Sequence, residues 1–339
     1  MTIDIAGTLD PATDEVTAST PSSASYREGA SVWLWDDAGR FVFPRVGVEA
    51  VGRDWETAFN VALCMGTPGG RLFLVNGPEP PLPVHDSQGR PRVLGAGPLR
   101  LECLEPLARW RVTFDGDVLG IDVDDFLAAG TPRPVPSDRT EQVALTLEVD
   151  AHMVTPPWLQ GTYDPEGFWV PGEQRLEQLC SVTGTVTVDG VATKFNGGGL
   201  RIHRKGGNRS DYGDFYGHNW QSATFPSGRA FGFIHYRPRP DGSMKYREGW
   251  LLDGGEIVPA RVEDTPWMTD TRSSGEDVSF TLQTQRGSFR IAGETFVSSY
   301  RPPRPVGNGT TFPLLHSGIA KYRWDDEVAF GMIERSARI

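Results

Sequence analysis

Residues 175–203 read RLEQLCSVTGTVTVDGVATKFNGGGLRIH, and this stretch decides the fold. Two runs rich in valine and threonine, SVTGTVTV and VATKF, flank Asp189-Gly190, and an Asp-Gly pair between such runs predicts a tight β-hairpin. The triple glycine Gly197–Gly199 lies between β-like segments and indicates a turn or a point of close backbone approach. Alternation after it places Arg201 and His203 on one face of a strand, with Leu200 and Ile202 on the other.

Short apolar or alternating runs extend outward from this hairpin in both directions. SVWLWDD, RFVFPRVGVEAV, RLFLVNG and ALTLEVDA precede it, and RAFGFIHY, YREGWLL, VSFTLQT, SFRIAG and ETFVSSY follow it, each run ending at glycine, proline or aspartate. With 40 glycines, 27 prolines and few stretches of helical period, the chain is predicted to be an all-β sandwich or barrel protein. WETAFNVALCM fits either a short helix or a buried strand, because periodicity does not separate the two.

The chain length predicts two domains. Its 339 residues, 38% of them hydrophobic, exceed what one core normally holds. Residues 1–26 are rich in Thr, Ser, Ala and Asp, a composition that predicts a mobile, disordered tail. We place the boundary in the aromatic and proline-rich segment TPPWLQGTYDPEGFWVPG, which is expected to pack across both halves. The predicted domains are therefore residues 27–172 and 173–339.

Charge and composition restrict the partners. A net charge of −11 and a pI near 5.1 disfavour binding to nucleic acid or to anionic lipid. Cys64, Cys103 and Cys180 are too few and too scattered for a disulfide framework, so we expect reduced core residues. The amino terminus has no signal-like pattern and the chain no long apolar run, which predicts a soluble, cytoplasmic protein without a stable membrane anchor. A homodimer is left open.

The hairpin FGFIHYRPRPDGSMKYREGWLL is the first candidate site. If Asp241-Gly242 is a two-residue turn, His235 lies opposite Glu248. The same count pairs Phe233 with Trp250 and Arg237 with Tyr246. All six side chains would then share one face with Phe231 and Leu252. A histidine–carboxylate pair within an aromatic wall can hold a transferable proton near neutral pH. The alternative is a surface ion pair, worth about 1 kcal/mol or less.

A second candidate is SDYGDFYGHNW, which carries Asp211, Asp214, Tyr216, His218 and Trp220. Glycines within it indicate a kinked loop or a bulged strand that aims side chains into an opening, although a plain polar turn has the same composition. His203, His218 and His235 have no HxH or HExxH spacing, so we predict no metal site. Motifs for a serine hydrolase elbow, a P-loop and a dinucleotide fold are missing, so we predict no cofactor.

Two segments resemble a known family. Glu102–Gly116, ECLEPLARWRVTFDG, and Leu176–Arg209, LEQLCSVTGTVTVDG…GGGLRIHRKGGNR, resemble the bacterial proteins related to carotenoid 1,2-hydratase (hydroxyneurosporene synthase) and the AttH-like proteins. The resemblance runs from about residue 30 to the end. It implies two lipocalin-like antiparallel β-barrels in tandem, with a ligand cavity associated with the barrels and their junction. It also implies an apolar substrate, since members hydrate isolated isoprenoid double bonds and related fungal enzymes catalyse pericyclic cyclisation.

One motif departs from the family pattern. Where many relatives have a run like RDHSWG, this chain has Arg201–Gly206, RIHRKG, so the arginine, histidine and glycine match and the acid does not. A proton donor must then come from Asp211, Asp214 or Glu248.

These observations lead to a functional hypothesis. The chain is predicted to be a cofactor-independent hydratase or dehydratase for a hydrophobic isoprenoid-, steroid- or polyketide-like molecule. The alternatives are an isomerase or cyclase in the same cavity and a carrier that holds an apolar ligand without reaction. The predicted catalytic residues are Glu248, Asp211, His235, His218 and Asp214. The predicted substrate-binding residues are Trp220, Tyr216, Phe231, Phe233, Tyr246, Trp250, His203 and Arg201.

Overall fold

The first half of the chain forms a ring of β-strands. The computed structural model describes residues 5, 7–128, 140–165, 173–206, 215–243, 246–307 and 310–338. Its first sheet contains β1 Arg27–Asp36, β2 Val42–Val51, β3 Phe59–Gly66, β4 Arg71–Glu79, β5 Val93–Ala96, β6 Leu99–Glu105, β7 Arg109–Asp122, β8 Glu141–Met153, β9 Trp158–Leu159, β10 Glu173–Val188 and β11 Val191–Gly206. The strand order is β4-β3-β2-β1-β11-β10-β8-β7, and pairing of β4 with β7 closes the ring. We call these eight strands the first barrel. Strands β6 and β5 continue from β7, and β9 pairs with β10.

The rest of the chain forms a second closed barrel. Its strands are β12 Gly217–Thr224, β13 Ala230–Tyr236, β14 Arg247–Asp253, β15 Glu256–Glu263, β16 Phe280–Thr284, β17 Gly287–Arg301, β20 Leu314–Trp324 and β21 Glu327–Ala337. They follow one another around the barrel in chain order, and β21 pairs with β12. A separate two-stranded ribbon consists of β18 Arg304–Gly307 and β19 Thr310–Phe312.

The predicted fold class, two antiparallel β-barrels in tandem, is confirmed. Asp189 and Gly190 form the expected two-residue turn between β10 and β11, with φ values of 47° and 78°. The ambiguous run WETAFNVALCM contains strand β3, not a helix. The one α-helix of the described residues, α1 (Val123–Ala128), has six residues. No helix in the described ranges is long and apolar enough to cross a bilayer.

Two segments differ from the sequence-based predictions. The hairpin β10–β11, expected in the second domain, pairs with β8 and β1 of the first barrel, so the change from one barrel to the other follows Gly206. The described part of the segment expected to be a mobile tail contains the 3₁₀ turn Pro11–Asp14, and Asp14 is fully buried. The reason is a long-range ion pair with Arg201, which a local composition argument does not detect.

Three apolar layers organise the molecule. One fills the first barrel with residues such as Val32, Phe43 and Trp110, and another fills the second with residues such as Phe231, Phe280 and Tyr322. The third lies between the outer faces of the two barrels. Strands at this third layer, such as β1 and β12, are therefore buried on both faces along almost their whole length.

The predicted register of the β13–β14 hairpin is wrong by one residue. Ile234, not His235, lies opposite Glu248, and His235 lies opposite Arg247. The connecting loop explains the shift, because Arg239 bonds to Ser243 across three residues, with Gly242 at φ 75°. A three-residue loop that ends in a left-handed glycine is a common alternative to the two-residue turn. Since side chains alternate, the shift places His235 and Glu248 on opposite faces of the sheet.

The close approach of β11 to β1 gives a first prediction. A Cβ added at Gly198 would lie 2.7–2.9 Å from atoms of the Trp35 indole, which is buried in the layer between the barrels. Gly198→Ala should therefore destabilise the protein by about 1–3 kcal/mol in chemical denaturation, because the indole has little room to move. Gly77→Ala is the control, since a Cβ there meets nothing within 4 Å. Equal stability of the two variants would contradict this packing.

Candidate active site at the junction of the barrels

We call the apolar layer between the barrels the junction. Its large side chains come from both sides: Trp33, Leu179, Leu200 and Ile202 from the first barrel, and Trp220, Ile234, Trp250 and Met332 from the second. Every polar side chain that faces this layer is removed from water. It must therefore find a partner or remain at a high cost in free energy.

Glu177 is the first such group. It lies on β10, on the same face as Leu179, and its carboxyl oxygens accept hydrogen bonds from Gln160 Nε2 (2.6 Å), Arg175 Nε (3.0 Å) and Trp220 Nε1 (3.0 Å). The Arg175 guanidinium also lies 4.3 Å from the centre of the Trp220 ring. Burial raises the pKa of Glu177 to about 7, although Arg175 opposes the shift. Glu177 is thus a carboxyl group that exchanges its proton near neutral pH.

Glu248 lies on β14 and serves a different purpose. Its oxygens accept bonds from Trp158 Nε1 (2.9 Å), Gly161 N (2.6 Å) and Tyr163 N (2.9 Å), and from the hydroxyl of Tyr246. Burial, followed by the charge of Glu248, raises the pKa of the Tyr246 hydroxyl. Three of the four donors belong to residues 158–163, which we call the strap. Glu248 therefore fastens the strap to the second barrel, while Gln160 of the strap contacts Glu177.

The third carboxyl group is Glu334 on β21. It accepts hydrogen bonds from Ser317 Oγ (3.1 Å) and Arg45 Nη1 (3.2 Å), and its Oε1 lies 3.5 Å from His218 Nε2. Burial opposes its ionisation, but the hydrogen bond to His218 and the charge of Arg45 outweigh burial and hold the pKa well below its usual range. The other ring nitrogen of His218, Nδ1, lies 2.7 Å from Ser336 Oγ. The imidazole is therefore oriented from both sides.

Tryptophan side chains connect these groups. Trp220 donates to Glu177 and lies directly across from Glu334 in the β12–β21 pairing. Trp33 of the first barrel packs edge-on against Trp220, with ring centres 4.9 Å apart. The indole N–H groups of Trp33 and Trp250 are buried, and no acceptor in the described part of the chain lies within hydrogen-bond distance of either. These two N–H groups are therefore unpaired donors within the junction.

The described residues predicted from sequence do not all lie together. Glu248, His218, Trp220, Tyr246 and Trp250 all face the junction. Tyr216, half-buried, lies beside β12 with the guanidinium of Arg338 5.3 Å from its ring centre. Asp211 and Asp214 lie outside the described residues.

Arg201 and His203 face the interior of the first barrel, as their alternation with Leu200 and Ile202 predicts. Arg201 Nη1 lies 2.6 Å from Asp14 Oδ1, and the ring nitrogens of His203 lie 3.2 Å from Asp14 and 2.9 Å from Glu28. A barrel wall therefore separates both residues from the junction.

His235, Phe231 and Phe233 face the interior of the second barrel. The two phenylalanines pack on Phe280, with ring centres 4.9 and 4.6 Å apart. His235 Nδ1 lies 3.1 Å from Thr265 Oγ1, and burial together with the charge of Arg247 lowers the pKa of His235 to about 4. These residues and Glu248 therefore form no common pocket.

Sequence reasoning missed Glu177, Glu334 and Arg45. The signal for Glu177 is present in LEQLC, where Glu177 and Gln178 stand between apolar residues in the part of β10 that is buried on both faces. Glu334 follows the apolar run FGMI in the same manner. Neither position reveals the partner that comes from the other barrel, Trp220 for Glu177 and Arg45 for Glu334.

Among the described residues, no group of three His, Cys, Asp or Glu side chains has the arrangement of a metal site. His203, His218 and His235 lie apart from one another: in the interior of the first barrel, at the junction and in the interior of the second barrel, respectively.

Two surface depressions are also present, of about 160 Å³ beside Trp55 and Phe59 and about 190 Å³ beside Asp124 and Ser274. Neither is lined by Glu177, Glu248 or Glu334.

Comparison with known proteins assigns the family. A family model described as "Domain of unknown function (DUF7064)" matches residues 11–339. The chain belongs to this family. No curated protein matches the chain significantly in sequence.

Solved structures show which proteins share the fold of this DUF7064 member. A protein from Nitrosomonas europaea assigned as an AttH is similar with a TM-score of 0.60 and 15% identity, covering 93% of both chains. CghA is similar with a TM-score of 0.53 and 10% identity, covering 95% of this chain and 94% of its own. Kievitone hydratase from Nectria haematococca is similar with a TM-score of 0.51 and 12% identity, covering 99% of this chain and 98% of its own. The resemblance to AttH-like and hydratase proteins is confirmed, and at these identities it concerns the fold.

The raised pKa of Glu177 predicts how stability depends on pH. Between its unfolded value of 4.5 and its folded value of about 7, the folded protein binds more protons than the unfolded chain. Stability should therefore fall as the pH rises through this window. Relative to Glu177→Gln, which does not titrate, the wild-type protein should lose about 3 kcal/mol of unfolding free energy between these pH values, measured by urea denaturation. A difference that rises with pH would mean that Arg175 keeps the carboxylate ionised.

The strap contacts give a separate prediction. Glu248→Ala removes the acceptor of four hydrogen bonds and leaves the N–H groups of Trp158 and Tyr163 without it, and should cost about 3–5 kcal/mol of unfolding free energy. Glu263→Ala, at an exposed position of the same barrel, is the control and should change stability little. Limited proteolysis should cut the Glu248→Ala variant within residues 158–163. A strap that stays protected would show that other contacts hold it.

Proposed function

We propose that this protein is a cofactor-independent hydro-lyase that adds water to, or removes it from, a hydrophobic small molecule at the junction. The observation that carries the proposal is the pair Glu177 and Glu334, whose pKa values are displaced in opposite directions. Trp220 lies between them, bonded to Glu177 and paired with Glu334 across the sheet. Two carboxyl groups held in different protonation states are the arrangement that acid–base catalysis requires.

Glu177 is the proposed proton donor. Because burial raises its pKa to about 7, it keeps a proton at a higher pH than an ordinary carboxyl group does, so it can give a proton to an alkene carbon or to a leaving hydroxyl. Glu248, the donor suggested by the sequence, already accepts four hydrogen bonds and holds the strap. We therefore assign proton donation to Glu177. The acid roles of Asp211 and Asp214 stay predictions.

His218 with Glu334 is the proposed base. In the hydration direction, Glu177 protonates one alkene carbon, a water oxygen attacks the other carbon, and the proton that the water releases passes through the Ser336 hydroxyl to Nδ1 of the imidazole. Glu334 lies 3.5 Å from the other ring nitrogen, Nε2, so it stabilises the imidazolium that forms. The net change is the addition of one water molecule, and the proton passes back to Glu177 before the next turnover. Dehydration is the same sequence reversed.

The surroundings suit a carbocation. The indole rings of Trp33, Trp158, Trp220 and Trp250 exclude water from the junction and present electron-rich faces, which attract positive charge. The unpaired N–H groups of Trp33 and Trp250 are donors for the oxygen of the alcohol or of the attacking water. An apolar substrate follows from this lining, and isoprenoid, steroid and polyketide skeletons are the proposed classes. The hydratase named among the similar structures supports the same type of reaction.

We propose that the substrate reaches Glu177 when the strap moves aside. Gln160 covers the carboxyl group, and the strap is fastened by Glu248 rather than by a long strand pairing, since β9 has two residues. Release of residues 158–163 would uncover Glu177 and the rings of Trp158 and Trp250 together.

The proposal predicts the effect of Glu177→Gln on turnover. Wild-type protein is incubated with prenylated phenols, acyclic terpenoids and steroids in ¹⁸O-labelled water, and products are measured by mass spectrometry. Glu177→Gln should lower turnover by roughly 10²–10⁴ because the amide has no proton to give, while binding of the substrate is retained. Glu263→Gln is the matched control and should keep full activity.

The products separate the alternatives. A gain or loss of one water supports the hydro-lyase, and incorporated ¹⁸O identifies hydration. An unchanged mass indicates an isomerase or cyclase in the same site. Tight binding without conversion by the wild-type protein indicates a carrier. Full activity of Glu177→Gln would overturn the assignment of the acid.

A further inference from the structure

A carboxylate from outside the barrel strands occupies the interior of the first barrel. Asp14 Oδ1 lies 2.6 Å from Arg201 Nη1 and 3.2 Å from His203 Nδ1. Its Oδ2 accepts hydrogen bonds from Trp110 Nε1 (2.9 Å) and from the backbone N–H of Leu107 (2.8 Å). Both oxygens are therefore bound, and the Asp14 side chain is fully enclosed.

All four donors belong to the barrel or to its β6–β7 turn. Arg201 and His203 lie on β11, Trp110 lies on β7, and Leu107 has the left-handed φ of 61° that turns its N–H inward. The Arg201 guanidinium also lies 4.9 Å from the centre of the Trp110 ring, so packing fixes its plane. Convergent donors around a buried guanidinium form a site for a planar carboxylate.

The residue that fills this site comes from a segment with few buried side chains. Among residues 7–26, only Asp14 and Val16 are buried, and the stretches on either side are mostly exposed. Other contacts also tie the segment to the barrel, among them the hydrogen bonds from Thr17 N to Glu28 and from Val16 N to Pro91 O. Within this segment Asp14 is the buried charged side chain.

We propose that the first barrel contains a binding site for a small carboxylate, formed by Arg201, His203, Trp110 and the Leu107 N–H, and that Asp14 occupies this site as an internal competitor. The ligand class is a monocarboxylate, because the donors match two oxygens in one plane. The second carboxylate of the cluster, Glu28, belongs to β1, and its Oε1 lies 2.9 Å from Nε2 of His203. Arg201 instead donates to the carboxylate at the Asp14 position.

The test removes the competitor and supplies a carboxylate in solution. In Asp14→Ala the midpoint of thermal unfolding should fall, because Arg201 loses its buried partner. Sodium formate and sodium acetate should restore it in a saturable manner, with a gain of roughly 2–3 °C at ten times the dissociation constant. Sodium chloride at equal ionic strength should not. Isothermal titration calorimetry should detect one formate site in Asp14→Ala and none at the same concentrations in the wild-type protein.

Two controls make each outcome decisive. Asp10→Asn removes an exposed charge at the start of the same 3₁₀ turn, keeps an acceptor for the Ala12 N–H, and should give neither the loss nor the rescue. Asp14→Asn keeps the shape without the charge and should be destabilised without formate rescue. The proposal is overturned if formate acts equally on the wild-type protein and Asp14→Ala, if chloride restores as well as formate, or if Asp14→Asn is as stable as the wild type.

Discussion

The structure depends on the packing of two barrels against each other through their outer faces. Strands at the junction are buried on the inside by their own barrel and on the outside by the neighbouring barrel. Such strands read as nearly continuous apolar runs, as in parallel sheets, although all pairings here are antiparallel. A polar side chain on the outer face of these strands is consequently deep in the protein. Glu177, Glu248 and Glu334 owe their burial to this arrangement and not to their own barrel.

The three glutamates show how burial alone does not decide the protonation of a carboxyl group. Glu177 has one cationic neighbour, Arg175, which also lies on Trp220, and burial dominates its pKa. Glu334 is equally buried, but His218 and Arg45 approach it from both barrels and reverse the effect. The two pKa values differ because Glu177 has Arg175 of its own strand as cationic neighbour, whereas Glu334 has His218 of the adjacent strand β12 and Arg45 of the opposite barrel. A small shift between the barrels would change both groups together.

The fold could be predicted from the sequence because it is encoded locally. Asp189-Gly190 and the alternating runs around it specify a hairpin without knowledge of the rest of the chain. The hairpin at Asp241-Gly242 is less well specified, since Gly242 suits either a two-residue turn or the end of a three-residue loop. One residue of difference moves His235 from the junction to the barrel interior. The partners of Glu177 and Asp14 are set by contacts between distant segments, and no local pattern contains that information.

Retaining a glutamate such as Glu177 is costly for stability. At neutral pH a group with a pKa near 7 instead of 4.5 weakens folding by about 3 kcal/mol relative to an unperturbed carboxyl group, a large fraction of the net stability of a domain. Glutamine in its place would avoid that loss and could still accept from Arg175, but its amide nitrogen could not accept from Trp220. The acid is therefore costly for stability, and proton transfer is a role that needs it. Groups of this kind concentrate at functional sites for that reason, and this favours the junction over either barrel interior as the place where chemistry occurs.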